Sequence, residues 1–372
     1  MTKDLTAYRN EIDQIDQELI RLFSDRMSLA KEIGTYKQEN NLALYDPQRE
    51  QEVANQAAGQ APQEIKGQAA LLMRSLMAFA RGYQRISIFG TEEPLLPPPV
   101  QPKRDHVMCA FQGVPGAWSE QASRKLFPDA ELHPMEFFED VFKVVKNNNA
   151  DYGIVPIENS QSGAIGETYD LLRKYGCYIV GRTWVDIKQC LLAKKGASLH
   201  DIRKVYSHPE GFRQCRHFLS DKYWERATCS NTAVAARLVR DEADISSAAI
   251  GSRLAGELYG LEVLRPDVMD TSSNRTSFVV IASQPEYNDE SDLISITFSL
   301  EHRAGSLCEA LLPFTSSELN LTRIESRPGS DQSFRFFAEV GGNISDPLVA
   351  DTLRHVGGVT EYLEVIGCYK IL

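Results

Sequence analysis

The chain has 372 residues, too many for a single hydrophobic core, so two or three domains are expected. With 42% hydrophobic and 24% charged residues it reads as a soluble globular protein, which excludes a disordered or fibrous one. Forty Lys and Arg against 51 Asp and Glu leave a net charge of −11, arguing against a general nucleic-acid binder or a protein held on an anionic membrane.

In chain order, Leu5, Tyr8, Ile12, Ile15, Leu19, Leu22, Leu29, Ile33 and Tyr36 keep a heptad-like spacing that predicts one long helix. Asp46-Pro47 supplies an N-cap followed by proline at the first position of a second helix. A third helix is expected from about Ile65 to Gln84, after the loop AAGQAPQ. The run ISIFG, from Ile86 to Gly90, is either an added strand or the end of that helix. Two short helices cannot cover so long an apolar stripe, so a homodimer or higher homo-oligomer is expected.

Five prolines within nine residues make the stretch from Pro94 to Asp105 a semi-rigid linker. Beyond it HVMCAF, DYGIVPI, YIVGRTWV, KVYSH and FVVIA alternate with helical runs, the pattern of an α/β domain. After the polar break SQPEYNDESD the order is β (293–300), α (305–317), β (320–327), β (333–340), α (346–356), β (361–369), a ferredoxin-like unit. The domains are therefore placed at 1–92, 105–283 and 292–372, with the linker at 93–104.

Cysteines at 109, 177, 190, 215, 229, 308 and 368 are scattered, odd in number and without C-x-x-C spacing; they read as reduced thiols, with no metal site expected. MTKDLTAYRNEIDQ lacks an apolar signal core and no run approaches the roughly 18 apolar residues of a membrane span, so a cytoplasmic protein is expected.

Arg26 stands where the heptad demands an apolar residue, and a buried guanidinium needs an anion. That anion is either a helical Glu or Asp or a small dianion shared with Lys37, which lies about 16 Å further along the same face. Arg9 lies about 42 Å from Lys37 along the helix, so it can join the same ligand only from a partner subunit. Asp46, Arg49 and Glu50 stand at the start of the second helix, where capping and helix-dipole roles are sufficient explanation for the two acids. Gly113, Gly116 and Ser119 form either an anion-binding loop or a plain strand-to-helix turn. Ser207 and His208 are adjacent in a strand and point to opposite faces, so they are not a nucleophile and its base.

The pattern YRNEIDQIDQELIRLFSDRMSLAKEIGTYK…YDPQRE…ARGYQ resembles the all-helical chorismate mutases. That resemblance implies a three-helix chain acting as a dimer, in which Arg9 of the partner, Arg26 and Arg49 hold two carboxylates. Lys37 and Gln84 would contact the ether oxygen of the breaking bond, and Asp46 and Glu50 the hydroxyl region. Ala80 departs from relatives that have a hydroxyl there, which bears on affinity. The chemistry fits, because a unimolecular rearrangement needs conformational restraint and charge stabilisation and no covalent group.

FQGVPGAWSEQA, DYGIVPIENSQSGAIGETYDLL, VYSHPEGFRQC, SNTAVAA, AAIGSRLAGELYGL and NRTSFVVI together resemble prephenate dehydratase across about 105–283. This implies a two-lobed α/β fold of the periplasmic-binding-protein type, with Asn159, Ser207, Gln214 and Thr276 lining the cleft and Ser160, His208 and Thr232 beside it. Asn159 and Gln214 would anchor carboxylate and carbonyl groups, while the Thr276 hydroxyl would protonate the departing hydroxyl. Ser277 stands where the family's N-x-T-R-F block has arginine; if that arginine holds a substrate carboxylate, either Arg275 or another cation substitutes or the step is slower, and activity is expected to persist.

RAGSLCEAL and LTRIESRPG resemble the phenylalanine-binding ACT domain of the same enzymes. The resemblance implies a site at Gly305, Ser306, Leu307, Glu325, Ser326, Arg327 and Pro328, with Ser306 replacing the usual alanine. Chorismate would be converted to prephenate and then to phenylpyruvate without metal or organic cofactor, under feedback by L-phenylalanine. The competing readings are a non-catalytic or mutase-only amino-acid sensor and a helical dimerisation module fused to a ligand-binding scaffold.

Overall fold

The computed structural model describes residues 4–89, 94–328 and 334–372. Two compact units emerge, one of Met1–Leu95 with Ile296–Val365 and one of Leu96–Ser295 with Ile366–Leu372.

Three helices open the first unit. Asp4 caps α1 (Leu5–Glu39) by accepting the Ala7 N–H at 2.7 Å. Asp46 caps α2 (Pro47–Gln60) by accepting the Arg49 N–H at 3.0 Å, with Pro47 in the first turn as expected. A single 3-10 turn, Gln63–Ile65, leads into α3 (Lys66–Phe89). The helix runs five residues beyond the expected Gln84, so Ile86–Phe89 are its last turn and not an added strand; Gly90 lies outside the described residues. Along α1, about 52 Å long, only Ala30 and Gly34 are buried. Leu5, Ile12, Ile15, Leu19, Leu29 and Ile33 are each more than half exposed.

The second unit has two lobes. The first contains β1 (Met108–Gln112), α4 (Trp118–Leu126), β2 (Glu131–Met135) and α5 (Phe138–Lys146). It continues through β3 (Tyr152–Asn159), β4 (Gly163–Ala164), α6 (Gly166–Tyr175) and β5 (Tyr178–Asp186). The other lobe begins with β6 (Cys190–Ala193), β7 (Lys204–Ser207), α7 (Pro209–Gln214), α8 (Arg216–Leu219) and β8 (Glu225–Thr228). It ends with α9 (Thr232–Asp241), β9 (Ser247–Gly251), α10 (Arg253–Leu258) and β10 (Glu262–Arg265), after which β11 (Arg275–Ala282) returns to the first lobe. Strand order is β5-β11-β3-β1-β2 in one lobe and β10-β6-β9-β7-β8 in the other. Both sheets are mixed: β11 is antiparallel to β3 and β5 while β1 is parallel to β2 and β3, and β7 is parallel to β8 and β9 while β6 is antiparallel to β9. Each sheet buries its own apolar cluster, around Phe111, Ile154 and Phe278 in one lobe and Leu192, Ala236 and Ala249 in the other. Because the chain crosses between lobes at 187–189 and again at 266–274, the ends of β5, β6 and β11 meet at one cleft floor.

The last elements are β12 (Leu293–Leu300), α11 (Ser306–Ser316), β13 (Leu321–Pro328), β14 (Phe334–Gly341), α12 (Pro347–Val359) and β15 (Tyr362–Tyr369). Their succession is the expected βαββαβ, with boundaries within about three residues of the sequence reading, and their strand order is β13-β14-β12-β15. In the first unit α12 crosses α3 at two glycines: a Cβ on Gly358 would stand 2.7 Å from the Gly82 Cα and 3.3 Å from its nitrogen. Both obstacles are backbone, so no rotamer relieves the clash. Gly358→Ala is therefore expected to cost about 1–3 kcal/mol through overpacking, more than the ~1 kcal/mol that alanine gains over glycine in a helix. Urea unfolding should show a lower midpoint for the variant.

The seven cysteines are free thiols, and burial pushes those of Cys109 and Cys215 up to about 12, so neither is a nucleophile. Among the described residues no helix is long and apolar enough to cross a membrane.

Candidate active sites

In the helical part, α1 and α3 pack side by side, and three of the expected residues bridge them or the loop beyond. The half-buried Arg26 Nη1 donates to the Leu76 carbonyl at 2.9 Å, and the buried Gln84 Nε2 donates to the Ala30 carbonyl at 2.7 Å. Lys37 Nζ donates to the Leu44 carbonyl at 2.7 Å, two residues before the Asp46 cap. Ala30 lies one turn beyond Arg26 and two turns before Lys37, so Gln84 sits between the two cations. Burial lowers Arg26 from its ordinary value, against the pull of the Glu50 carboxylate. The anion expected for Arg26 is thus not a tight ion-pair partner: its bond goes to a main-chain carbonyl, which a carboxylate can displace.

Asp46 is exposed and caps α2, while Arg49 is exposed and pairs with Glu52 at 3.3 Å. Arg9 is exposed near the far end of α1, away from Arg26 and Lys37. Glu50 is held by Arg81, which lies inside the ARGYQ stretch and has no local signal in the sequence for that partner. Ala80 is buried beside it.

Between the two lobes lies a cavity of about 470 Å³ whose lining includes Trp118, Asn159, Gln189, His208, Glu210, Gln214, Thr232 and Thr276. Five of the seven expected cleft residues are therefore together. Ser207 is not in the lining: it is fully buried beneath Gly211, and its hydroxyl donates to the Ile250 carbonyl at 3.2 Å. Ser160 is also outside the lining, exposed, and accepts the Arg275 N–H at 3.0 Å.

Asn159, expected to anchor a substrate group, is bonded within the protein at the floor of the cleft. Its Nδ2 donates to Asn274 Oδ1 at 2.8 Å and to Thr276 Oγ1 at 2.9 Å, and its Oδ1 accepts the N–H groups of Gln161 and Ser162 at 3.0 and 3.1 Å. Since Thr276 accepts from Asn159, its own hydroxyl proton points away from that amide. Gln214 is similarly engaged, accepting from Gln189 at 3.3 Å and donating to Glu210 at 3.1 Å. Gln189, in the first lobe crossing, has a buried Oε1 with no hydrogen-bond partner among the described residues. Burial holds His208 below its usual range, and its Nδ1 accepts the Glu210 N–H at 3.1 Å, placing the proton of the neutral ring on Nε2. With Ser207 bonded elsewhere, the two do not form a nucleophile and base.

Two further expectations are resolved. The loop after β1 is a closed turn, because the Gly113 N–H goes to the Met135 carbonyl, the Gly116 N–H to Glu120 and the Ser119 hydroxyl to the Gln112 carbonyl. Ser277, at the family's arginine position, is fully buried outside the cavity lining and accepts from Arg182 Nε at 2.6 Å. Arg182, reaching over from β5, also pairs with Glu158 at 3.1 Å, whereas Arg275 pairs with Asp186 at 3.0 Å. The cation that stands at Ser277 is therefore Arg182.

In the C-terminal part Gly305 (φ +91°) begins α11 with no side-chain cap, a left-handed conformation that favours glycine. Ser306 donates to the Arg303 carbonyl at 3.1 Å, and Leu307 is half-buried. Glu325, Ser326, Arg327 and Pro328 lie on β13, which among the described residues pairs with β14, and Glu325 accepts from Arg323 at 3.4 Å.

Residues 8–85 match the family model for chorismate mutase type II, and residues 109–286 match that for prephenate dehydratase. The bifunctional chorismate mutase/prephenate dehydratase of Neisseria gonorrhoeae is 32% identical, over 98% of this chain and 96% of that protein. The solved prephenate dehydratase of Arthrobacter aurescens in complex with L-Phe has a TM-score of 0.65 at 29% identity, over 71% of this chain and 89% of its own. A structure described as GqqA, a novel type of quorum quenching acylase, has a TM-score of 0.66 at 30% identity, over 71% of this chain and 98% of its own. With both family models matched in sequence order and a relative aligned almost end to end, the chain belongs to the bifunctional chorismate mutase/prephenate dehydratase family.

Proposed function

We propose that this chain rearranges chorismate to prephenate in its helical domain and converts prephenate to phenylpyruvate in the cleft, as a cytoplasmic homo-oligomer regulated by L-phenylalanine. The observation that carries the second step is the Asn159–Thr276 bond at the cleft floor. Thr276 delivers its proton to the departing ring hydroxyl, which leaves as water, and the threonine oxygen takes a proton back from solvent. The carbon–carbon bond to the ring carboxylate breaks to release carbon dioxide, and its electron pair completes the aromatic ring. Aromatisation supplies most of the driving force, so a weak acid suffices if it is placed correctly.

The mutase step needs no proton transfer. Arg26, Arg49 and the partner's Arg9 clamp the two carboxylates of chorismate, Lys37 and Gln84 donate to the ether oxygen, and Asp46 and Glu50 take the hydroxyl region. The exposed apolar face of α1 supports a second copy packed along it, which would also bring in the distant Arg9. The βαββαβ order and its strand arrangement support a ferredoxin-like ACT domain. In it Gly305, Ser306 and Leu307, with Glu325, Ser326, Arg327 and Pro328, would receive L-phenylalanine.

The test is to give purified protein chorismate alone, following prephenate and phenylpyruvate while L-phenylalanine is titrated in. Phenylpyruvate that falls as phenylalanine rises is the expected result. Prephenate accumulating unchanged would confine catalysis to the helices, and intact chorismate would overturn the mutase assignment.

A further inference from the structure

Arg81, on α3, is among the most buried charges of the first unit, its side chain 7% exposed. Its Nη1 donates to Glu50 Oε1, and its Nη2 donates to Glu309 Oε2 at 2.7 Å. Arg303 closes on the same Glu309 through two bonds of 2.8 and 2.5 Å. Both guanidinium groups lie over the ring of Tyr45, at 5.1 and 5.6 Å from its centre. The charges thus form one chain, Glu50–Arg81–Glu309–Arg303, which ends on Glu301, accepting from Arg303 Nε at 3.1 Å. Glu309 is in the first turn of α11, where its N–H reaches the Gly305 carbonyl at 3.0 Å.

A guanidinium that meets one carboxylate prefers to grip both its oxygens; shared between two carboxylates, it offers each a single arm. Among the described residues Glu50 is held by Oε1 alone, which leaves Oε2 as an acceptor for a ligand hydroxyl. We propose that Arg81 is a positioning residue of the mutase site, and that Glu309 prevents it from closing on both oxygens of Glu50. The proposal rests on the assignment of Glu50 to the hydroxyl region of chorismate.

The experiment measures mutase kcat and KM in the full-length protein for Arg81→Ala, Arg81→Lys, Glu309→Gln and Glu50→Gln, with dehydration of supplied prephenate as a control on the same samples. Arg81→Ala should raise KM about 10–100-fold with kcat little changed, the scale of a lost charge-assisted hydrogen bond. Arg81→Lys should recover most of that, and Glu309→Gln should raise KM about 3–10-fold. A merely structural role would lower kcat, through fewer active molecules, and leave KM alone. That result, or a KM for Arg81→Ala within about twofold of the parent, would overturn the proposal when Glu50→Gln raises KM. An unchanged KM in Glu50→Gln would instead remove the assignment of Glu50, and the proposal with it.

Discussion

Lys37→Ala should lower kcat for prephenate formation about 10²–10³-fold, the usual cost of deleting a donor aimed at charge that develops in the transition state. The reason is where the ammonium stands. Lys37 is half-buried on α1, and its present acceptor is the Leu44 carbonyl at 2.7 Å, at the loop that leads into α2. Gln84 occupies the equivalent place from α3, donating to the Ala30 carbonyl. Both donors are held by neutral main-chain oxygens, bonds that an ether oxygen gathering negative charge can outcompete. Such an interaction is stronger in the transition state than with bound chorismate, so its loss appears in kcat more than in KM. The same preparation should dehydrate supplied prephenate at the parental rate, and sedimentation should show an unchanged assembly. A variant that keeps its rearrangement rate would sever Lys37 from the chemistry and leave the helices a dimerisation module.

Local signals carried most of the fold. The heptad stripe of α1, the Asp46-Pro47 start of α2 and the βαββαβ tail are features of neighbouring residues, and each recurs in the structure near its expected bounds. The length of the stripe is itself the reason that α2 and α3 leave α1 uncovered. What stayed hidden depends on distant partners. Arg81 reads as an ordinary helix residue until it meets Glu50, 31 positions away, and Glu309, 228 positions away. Arg182 becomes the cation at Ser277 only because β5 and β11 are antiparallel neighbours. Ser207 belongs to a quoted block, yet the close approach of Gly211 seals it off from the cavity. For Asn159 the residue type was legible and the task was not: only the register that sets it opposite Thr276 shows that its amide serves the protein itself.

That register yields the other large effect. Thr276→Val keeps the shape of the side chain and removes its proton, so phenylpyruvate formation from prephenate should fall about 10²–10⁴-fold, the range for loss of a general acid. Thr276→Ser restores the hydroxyl and should recover much of the rate. Asn159→Ala leaves Thr276 its proton but takes away the donor that fixes its direction, together with the bonds that hold Gln161 and Ser162. Its rate should fall less than that of Thr276→Val, and combining the two should cost little more than Thr276→Val alone, because Asn159 acts through the hydroxyl that is then absent. Fully additive losses would show that Asn159 touches the substrate itself. A Thr276→Val protein that still makes phenylpyruvate at the parental rate would mean that aromatisation and loss of carbon dioxide proceed without help from this hydroxyl, and the acid would have to be sought among His208 and the other groups of the cavity wall.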